Sequence, residues 1–313
     1  MIKPSIFIDG EHGTTGLQIR DRLARRDDIN VVSVPVGERR DPSARARAIN
    51  QADIAILCLP DDASREAVAM LADAGNKTTR VIDTSTAHRT LPGWVYGFSE
   101  LASGQRPAIA AARLVANPGC YSTGAIALLR PLVDAGLVTP NHPVMINAVS
   151  GYSGGGKALI AQMEDEARAD HITSAHYLYA LGLTHKHVPE IMSHSGLSRR
   201  PVFTPSVGRF AQGMLVNIPL HLDLLAGSPL ASDIHAVLAR HYHGQVHVEI
   251  VPLGESAKLT RIEAEELAGK DSMKLYVLTS EKGEMVNLVA SLDNLGKGAS
   301  GAAVQNMDIM LGR

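Results

Sequence analysis

Ser5-Ile6-Phe7-Ile8-Asp9-Gly10-Glu11-His12-Gly13-Thr14-Thr15-Gly16 is the stretch that decides the fold of this 313-residue chain. A short apolar run ends in a glycine-rich turn, and residues 17–25 then read as a helix. Strand, turn and helix in that order bring backbone N–H groups and the positive end of a helix dipole to one point, where a pyrophosphate fits. The glycines fall as G-x-x-G-x-x-G rather than the commoner G-x-G-x-x-G. A tight turn built on packing glycines is the competing reading.

The pattern continues outward. Residues 30–36 form a second strand, and residues 53–60 a third that is almost wholly apolar, as a parallel sheet covered on both faces requires. A helix over residues 61–74 keeps Ala67, Val68 and Leu71 on one face, and Arg80-Val81-Ile82-Asp83 is a fourth strand. Just past the second strand stands Gly37-Glu38-Arg39-Arg40-Asp41. An acid there ordinarily holds an NAD ribose, whereas an arginine accommodates the 2′-phosphate of NADP. Arg39 and Arg40 favour NADP(H), with a solvated charge cluster as the alternative. Thr84-Ser85-Thr86-Ala87-His88-Arg89 follows the fourth strand at the carboxyl edge of the sheet, where ligands of such folds bind.

Beyond residue 118 the character changes. Residues 143–150, 210–220, 246–251 and 274–278 read as strands with fewer helices between them, which marks an α+β arrangement. The expected fold class is α/β: a Rossmann-type dinucleotide-binding domain over residues 1–118, then an α+β substrate and dimerisation domain with a largely antiparallel sheet over residues 119–297. A last helix within residues 298–313 is expected to pack back on the first domain.

At the junction lies Asn117-Pro118-Gly119-Cys120-Tyr121-Ser122-Thr123-Gly124. Pro118 fixes its own φ and biases Asn117 to extended geometry, and Gly119 frees the turn. The helix that follows leaves Cys120 at its N-terminus, where unpaired N–H groups and the dipole favour thiolate over thiol. Cys120 is the expected nucleophile; a small buried hydrophobe is the bland alternative. His185-Lys186-His187-Val188-Pro189-Glu190 supplies two histidines and a carboxylate, suited to a general base and its orienting partner. His187 is preferred because Glu190 stands three residues on, and His185 is the alternative. H-x-H also suits zinc, but no third ligand falls at a recognisable spacing, so no metal is expected. His241-Tyr242-His243 and His247, at a helix-to-strand junction, read as solvated surface.

Two further glycine-rich loops stand out, Ser150-Gly151-Tyr152-Ser153-Gly154-Gly155-Gly156-Lys157 and Asp293-Asn294-Leu295-Gly296-Lys297-Gly298-Ala299-Ser300-Gly301. The first lacks the G-x-x-x-x-G-K-[ST] spacing of a nucleotide P-loop, yet its N–H groups suit an anion or cofactor.

Taken together, Gly10 to Gly16, Asn117 to Thr123, His185 to Glu190 and Asp293 to Gly301 resemble the N-acetyl-γ-glutamyl-phosphate reductase family. The matched motifs run in order along nearly the whole chain, whose length is similar to that family's shorter branch. One departure is Gly155, where the family often has alanine. The related aspartate-semialdehyde dehydrogenases share the chemistry with different motifs. The resemblance implies NADPH-dependent reduction of an acyl phosphate through a cysteine thioester, a step of arginine biosynthesis. Expected cofactor contacts are Gly10, Gly13, Thr14, Thr15, Gly16, Arg39, Arg40, Pro60, Ser85, Gly154, Gly155 and Asn294. Arg89, Asn117 and Ser150 are the expected substrate contacts, with Arg89 on either phosphate or carboxylate. A reductase for another acyl group, or a non-catalytic NADP-binding regulator, remains a rival.

Composition narrows the setting. Hydrophobic residues make up 45% and charged residues 20%, and a net charge of −2 gives no reason to expect nucleic acid or a membrane surface. Two cysteines in a chain this long suit a reducing compartment. Met1 to Asp9 holds one lysine and no apolar signal-peptide region, so a cytoplasmic protein is expected. A homo-oligomer, dimer or tetramer, is a separate expectation that no sequence feature decides.

Overall fold

The computed structural model describes residues 3–313; Met1 and Ile2, part of the amino-terminal reading above, lie outside the described residues. The described residues form two compact units, one of residues 3–99, 104–118 and 299–313, the other of residues 100–103 and 119–298.

The first unit runs β1 (Ser5–Asp9), α1 (Thr14–Leu23), β2 (Asn30–Val32), α2 (Pro42–Gln51), β3 (Ile54–Leu57), α3 (Asp61–Asp73), β4 (Arg80–Asp83), β5 (Val95–Tyr96), α4 (Gln105–Ala111) and β6 (Leu114–Ala116). Its six strands lie in the order β2-β1-β3-β4-β6-β5, all parallel. Side chains alternate between the two faces of a strand, and the strands use both. Ile6, Ile8, Ile54, Ile56 and Ile82 enter a core with α1 and α4. Phe7, Ala55, Leu57 and Val81 enter another with α2 and α3. The second strand is shorter than its apolar run, because Pro35 has no N–H for a ladder and a 3-10 turn, Val36–Glu38, follows.

The second unit runs α5 (Cys120–Asp134), β7 (Met145–Gly151), α6 (Gly156–Glu164), β8 (His176–Leu178), α7 (His187–Ser195), β9 (Val202–Gly208), β10 (Met214–His221), α8 (Ala231–His241), β11 (Val248–Ile250), α9 (Leu253–Ser256), β12 (Met273–Thr279) and β13 (Met285–Leu292). Its sheet has the order β11-β12-β13-β10-β7-β9-β8. The β11–β12 and β7–β9 pairs are parallel, and the other four are antiparallel. Three of these strands, β8, β9 and β13, escape a reading by pattern. β9 carries Pro205, which falls one residue past the stretch paired with β8, and β13 is buried on both sides between β10 and β12.

Helix α5 is apolar on nearly every face and packs against α7, α8, β10 and β13, the pattern of a helix buried all round. Pro131 lies inside it and removes the hydrogen bond that the Ala127 carbonyl would accept. The Tyr242 hydroxyl donates to that carbonyl instead, at 2.8 Å. Tyr242 is therefore buried, not the solvated residue its neighbours suggested, and burial holds its phenol well above the usual range. The last helix, α10 (Gly301–Met310), returns to the first unit, where Ala303, Met307 and Ile309 enter the α1 core. Among the described residues, no helix is long and apolar enough to cross a membrane.

Candidate active site

The first loop is shaped by what cannot fit in it. A Cβ at Gly16 would stand 2.3 Å from the Gly10 carbonyl oxygen, and Gly10 itself has φ +84° against the Cys58 carbonyl. The turn is thus drawn in under α1, whose N-cap, Gly13, has no side chain to satisfy the first N–H groups. Beside it is a cavity of about 300 Å³ lined in part by Gly10, Glu11, Gly13, Arg39 and Arg40. Three buried polar atoms at or beside this loop, His12 Nε2, Thr14 Oγ1 and Arg39 Nε, have no hydrogen-bond partner. Buried donors are seldom left so in a finished protein. An uncapped helix N-terminus, orphaned donors and two guanidinium groups fit the phosphates of a dinucleotide. Pro60 caps α3, and Ser85 follows β4 with its hydroxyl donating to Asp83 at 2.7 Å.

Helix α5 begins at Cys120, with Gly119 as N-cap. Glu190, from α7, reaches this turn: one carboxylate oxygen accepts the Gly119 N–H and the other the Ser122 hydroxyl, both at 2.8 Å. The carboxylate thereby fixes the backbone that carries the thiol, a role beyond the histidine-orienting one its spacing suggested. Charge-assisted bonds of this kind contribute about 1.5–3 kcal/mol each.

Next to it is an aromatic cluster. The His185 and His187 rings lie 4.7 Å apart, each 5.9 Å from the Tyr121 ring. His185 Nδ1 accepts the backbone N–H of His187 at 3.1 Å, and its Nε2 stands 3.2 Å from the Tyr179 hydroxyl. This pairing assigns the proton of the neutral ring to Nε2. Tyr179 is a residue the sequence reading missed, being one tyrosine in an unremarkable loop. Burial first, and the charge of neighbouring Cys120 next among the causes that raise it, hold its phenol above the ordinary range. Among the described residues, no group of three His, Cys, Asp or Glu is arranged for a metal ion.

Several of the expected contacts also brace the backbone. The Asn117 side chain donates to the Ala299 carbonyl and accepts from Asn306, each at 3.0 Å, and its carbonyl accepts Arg89 Nε at 2.9 Å. Arg89, nearly buried, also donates to the Thr84 carbonyl. These bonds hold the chain leading to Pro118. Ser150, also buried, donates its hydroxyl to the Gly151 carbonyl at 3.0 Å. Asn294 is 1% exposed; it accepts the Gly213 N–H at 2.9 Å and donates to Ser153 Oγ at 3.0 Å. It ties the Ser153 turn to the Gly213 backbone. Lys297 of the same loop forms a buried ion pair with Glu100 at 2.8 Å, between residues too distant in the chain for any sequence pattern to pair them.

The comparisons with known proteins agree with this geometry. Residues 16–110 match the family described as semialdehyde dehydrogenase, NAD binding domain, and residues 120–294 the semialdehyde dehydrogenase, dimerisation domain. That is the class of protein which a parallel-sheet domain followed by a helix-terminal cysteine defines. N-acetyl-γ-glutamyl-phosphate reductases of Brucella ovis and Brucella melitensis are 65% identical over 312 residues, covering 100% of each chain. Aspartate semialdehyde dehydrogenase II of Vibrio cholerae, complexed with ASA, shares the fold with a TM-score of 0.73 at 18% identity, over 99% of both chains. The Candida albicans aspartate semialdehyde dehydrogenase with NADP does so at 0.65 and 12%, again over 99% of both. The chain belongs to the N-acetyl-γ-glutamyl-phosphate reductase family.

Proposed function

We propose that this chain is an NADPH-dependent reductase that converts N-acetyl-γ-glutamyl phosphate to N-acetylglutamate 5-semialdehyde and phosphate, a step of arginine biosynthesis. Cys120, the first residue of a helix whose entry is held by a buried carboxylate, carries the reading. Full-length identity of 65% to reductases of that name supports the substrate. The Cys120 thiolate attacks the acyl carbonyl, the acyl–oxygen bond breaks, and phosphate leaves with the electron pair, giving a thioester. The uncapped N–H groups of α5 are oriented toward charge at this point and favour the thiolate. Bound NADPH supplies the hydride that reduces the thioester, and Gly10, Gly13, Thr14, Thr15, Gly16, Arg39 and Arg40 would hold it. Hydride addition leaves a thiohemiacetal oxyanion, to which His187 donates a proton. His187 takes that proton back as the carbonyl re-forms, the C–S bond breaks and the sulfur leaves as thiolate. Glu190 positions the Cys120 turn. A dimer formed through the second unit suits the dimerisation-domain match, and a cytoplasmic location suits two cysteines that form no disulfide.

The test is acyl-enzyme trapping. Enzyme is mixed with N-acetylglutamyl phosphate without NADPH, quenched in acid and weighed intact, with aspartyl phosphate run beside it. The acyl mass should appear on the Cys120 peptide in wild type and Cys58→Ser, and be absent in Cys120→Ser. Turnover retained by Cys120→Ser would end the covalent reading. Equal acylation by aspartyl phosphate would move the chain to another acyl group.

A further inference from the structure

The cavity at the first loop contains a charge that a 2′-phosphate pocket does not need. Glu11 is buried, its side chain 11% exposed, and it lines the same cavity as Arg39 and Arg40. Its Oε2 accepts the hydroxyl of Ser33, the first residue beyond β2, at 3.1 Å. The carboxyl end of the second strand is where folds of this kind keep the acid that accepts a ribose 2′-hydroxyl. Here that position is a serine, and the first loop delivers a carboxylate to it from the other side. Glu38, the acid that the sequence pointed to, is half-exposed, 3.8 Å from Arg47, and does not line the cavity.

We infer that Glu11 reads the 2′ position of the cofactor's adenosine ribose and gives this pocket a second, NAD(H)-accepting mode alongside NADP(H). The inference rests on the cofactor reading above. Arg39 Nη2 stands 3.9 Å from Glu11 Oε1, a long ion pair, and its Nε has no partner. The guanidinium is thus loosely held and available to a phosphate. Arg40 has no ion-pair partner among the described residues, whereas Arg45 is committed to Asp9 at 2.8 Å. With a 2′-phosphate present, Arg39 and Arg40 pair with it and stand between it and Glu11, whose like charge weakens the binding. With a 2′-hydroxyl present, the hydroxyl donates to Glu11 and Arg39 stays on the carboxylate. His12 Nε2 also stands 3.3 Å from Glu11 Oε1 and lines the cavity, so the balance between this carboxylate with its imidazole neighbour and the two guanidinium groups sets cofactor preference.

Adenosine 2′,5′-bisphosphate and 5′-AMP, titrated by calorimetry, isolate this end of the pocket from turnover. Glu11→Gln should weaken 5′-AMP roughly tenfold or more, the size of a charge-assisted hydrogen bond, and leave the bisphosphate unchanged or tighter. The ratio of kcat/KM for NADPH over NADH should widen to match. Arg39→Met should do the reverse, weakening the bisphosphate while sparing 5′-AMP. Ser33→Ala, a milder change at an exposed hydroxyl, should shift both probes in the Glu11→Gln direction by less, which keeps the question open to test if Glu11→Gln folds poorly. Equal weakening of both probes by Glu11→Gln and by Ser33→Ala would overturn the inference and leave Glu11 a loop brace. A wild-type protein that binds neither probe would instead bring down the cofactor reading beneath it.

Discussion

The Gly10–Gly16 turn and the loop from Ser150 to Gly156 have similar compositions and opposite patterns of hydrogen bonding. Around the first, buried Thr14 Oγ1 and Arg39 Nε find no partner within the protein. Around the second, Gly151 N–H donates to the Gly213 carbonyl, Tyr152 N–H to Phe210, and Ser153 Oγ accepts from Asn294. Glycine content cannot separate a ligand cradle from a structural turn, since both need close backbone approach. The fate of the buried polar groups can, because a protein leaves such groups unsatisfied mainly where something else will satisfy them.

The two histidines offer the most severe way to break that rule. His185 has both ring nitrogens engaged, by the His187 N–H and by Tyr179. A base so committed must give up a bond to take a proton, which favours the proposed acid/base role of His187 over His185. His187→Asn should lower kcat by roughly 10²–10⁴-fold with NADPH affinity nearly unchanged. His185→Asn should cost far less in kcat and more in thermal stability. The kcat–pH profiles of both variants check this; a larger kcat loss in His185→Asn would reverse the assignment.

Legibility followed the same division. The parallel sheet was readable because strands buried on both faces are apolar throughout, as at Ile54–Leu57, and because the turn after Asp9 punctuates them. The cysteine was readable because Asn-Pro-Gly can only be a turn. Pairing was not. β13 and β9 are defined by neighbours distant in sequence, and a proline inside β9 argued against the strand it joins. Nor could the sequence show that Asn117 and Asn294 look inward, since asparagine at a turn is equally a ligand or a brace. Glu11 was visible as a letter in a glycine motif, but its contact with Ser33 requires β1 and β2 to be adjacent and parallel.

A paired substitution sharpens the loop comparison at smaller cost. Asn294→Ala removes a buried amide and strands the Gly213 N–H and the Ser153 hydroxyl. It should destabilise the fold by about 1–3 kcal/mol per stranded group and leave the NADPH dissociation constant alone. Thr14→Val removes a buried hydroxyl that nothing in the protein satisfies, so stability should hold or rise slightly. NADPH binding should weaken by about 1 kcal/mol, roughly fivefold. Denaturant midpoints and cofactor titrations on both variants decide it. If Asn294→Ala weakens NADPH and Thr14→Val does not, the two loops have been assigned the wrong way round.

The smallest effect concerns Cys58, the second of the two free cysteines. It ends the third strand's apolar run and packs against the α1 core. Burial pushes its thiol up to about 12, the nearby charges of Asp83 and Asp9 add to the rise, and a hydrogen bond with Thr84 opposes it. An unfolded cysteine ionises near about 8.5. Below that value both states hold the proton and stability does not depend on this group. Between about 8.5 and 12 the unfolded chain releases the proton and the folded one keeps it, so the unfolded state binds fewer protons and stability falls as pH rises. Cys58→Ala abolishes this one contribution while losing some packing. The variant should be the less stable protein at pH 7.5, and the gap should shrink by about 1–2 kcal/mol by pH 10. Urea midpoints of both proteins across that range measure the difference directly. Parallel curves would mean that Cys58 ionises as readily in the fold as out of it, and that its strand does not shield it as the core packing requires.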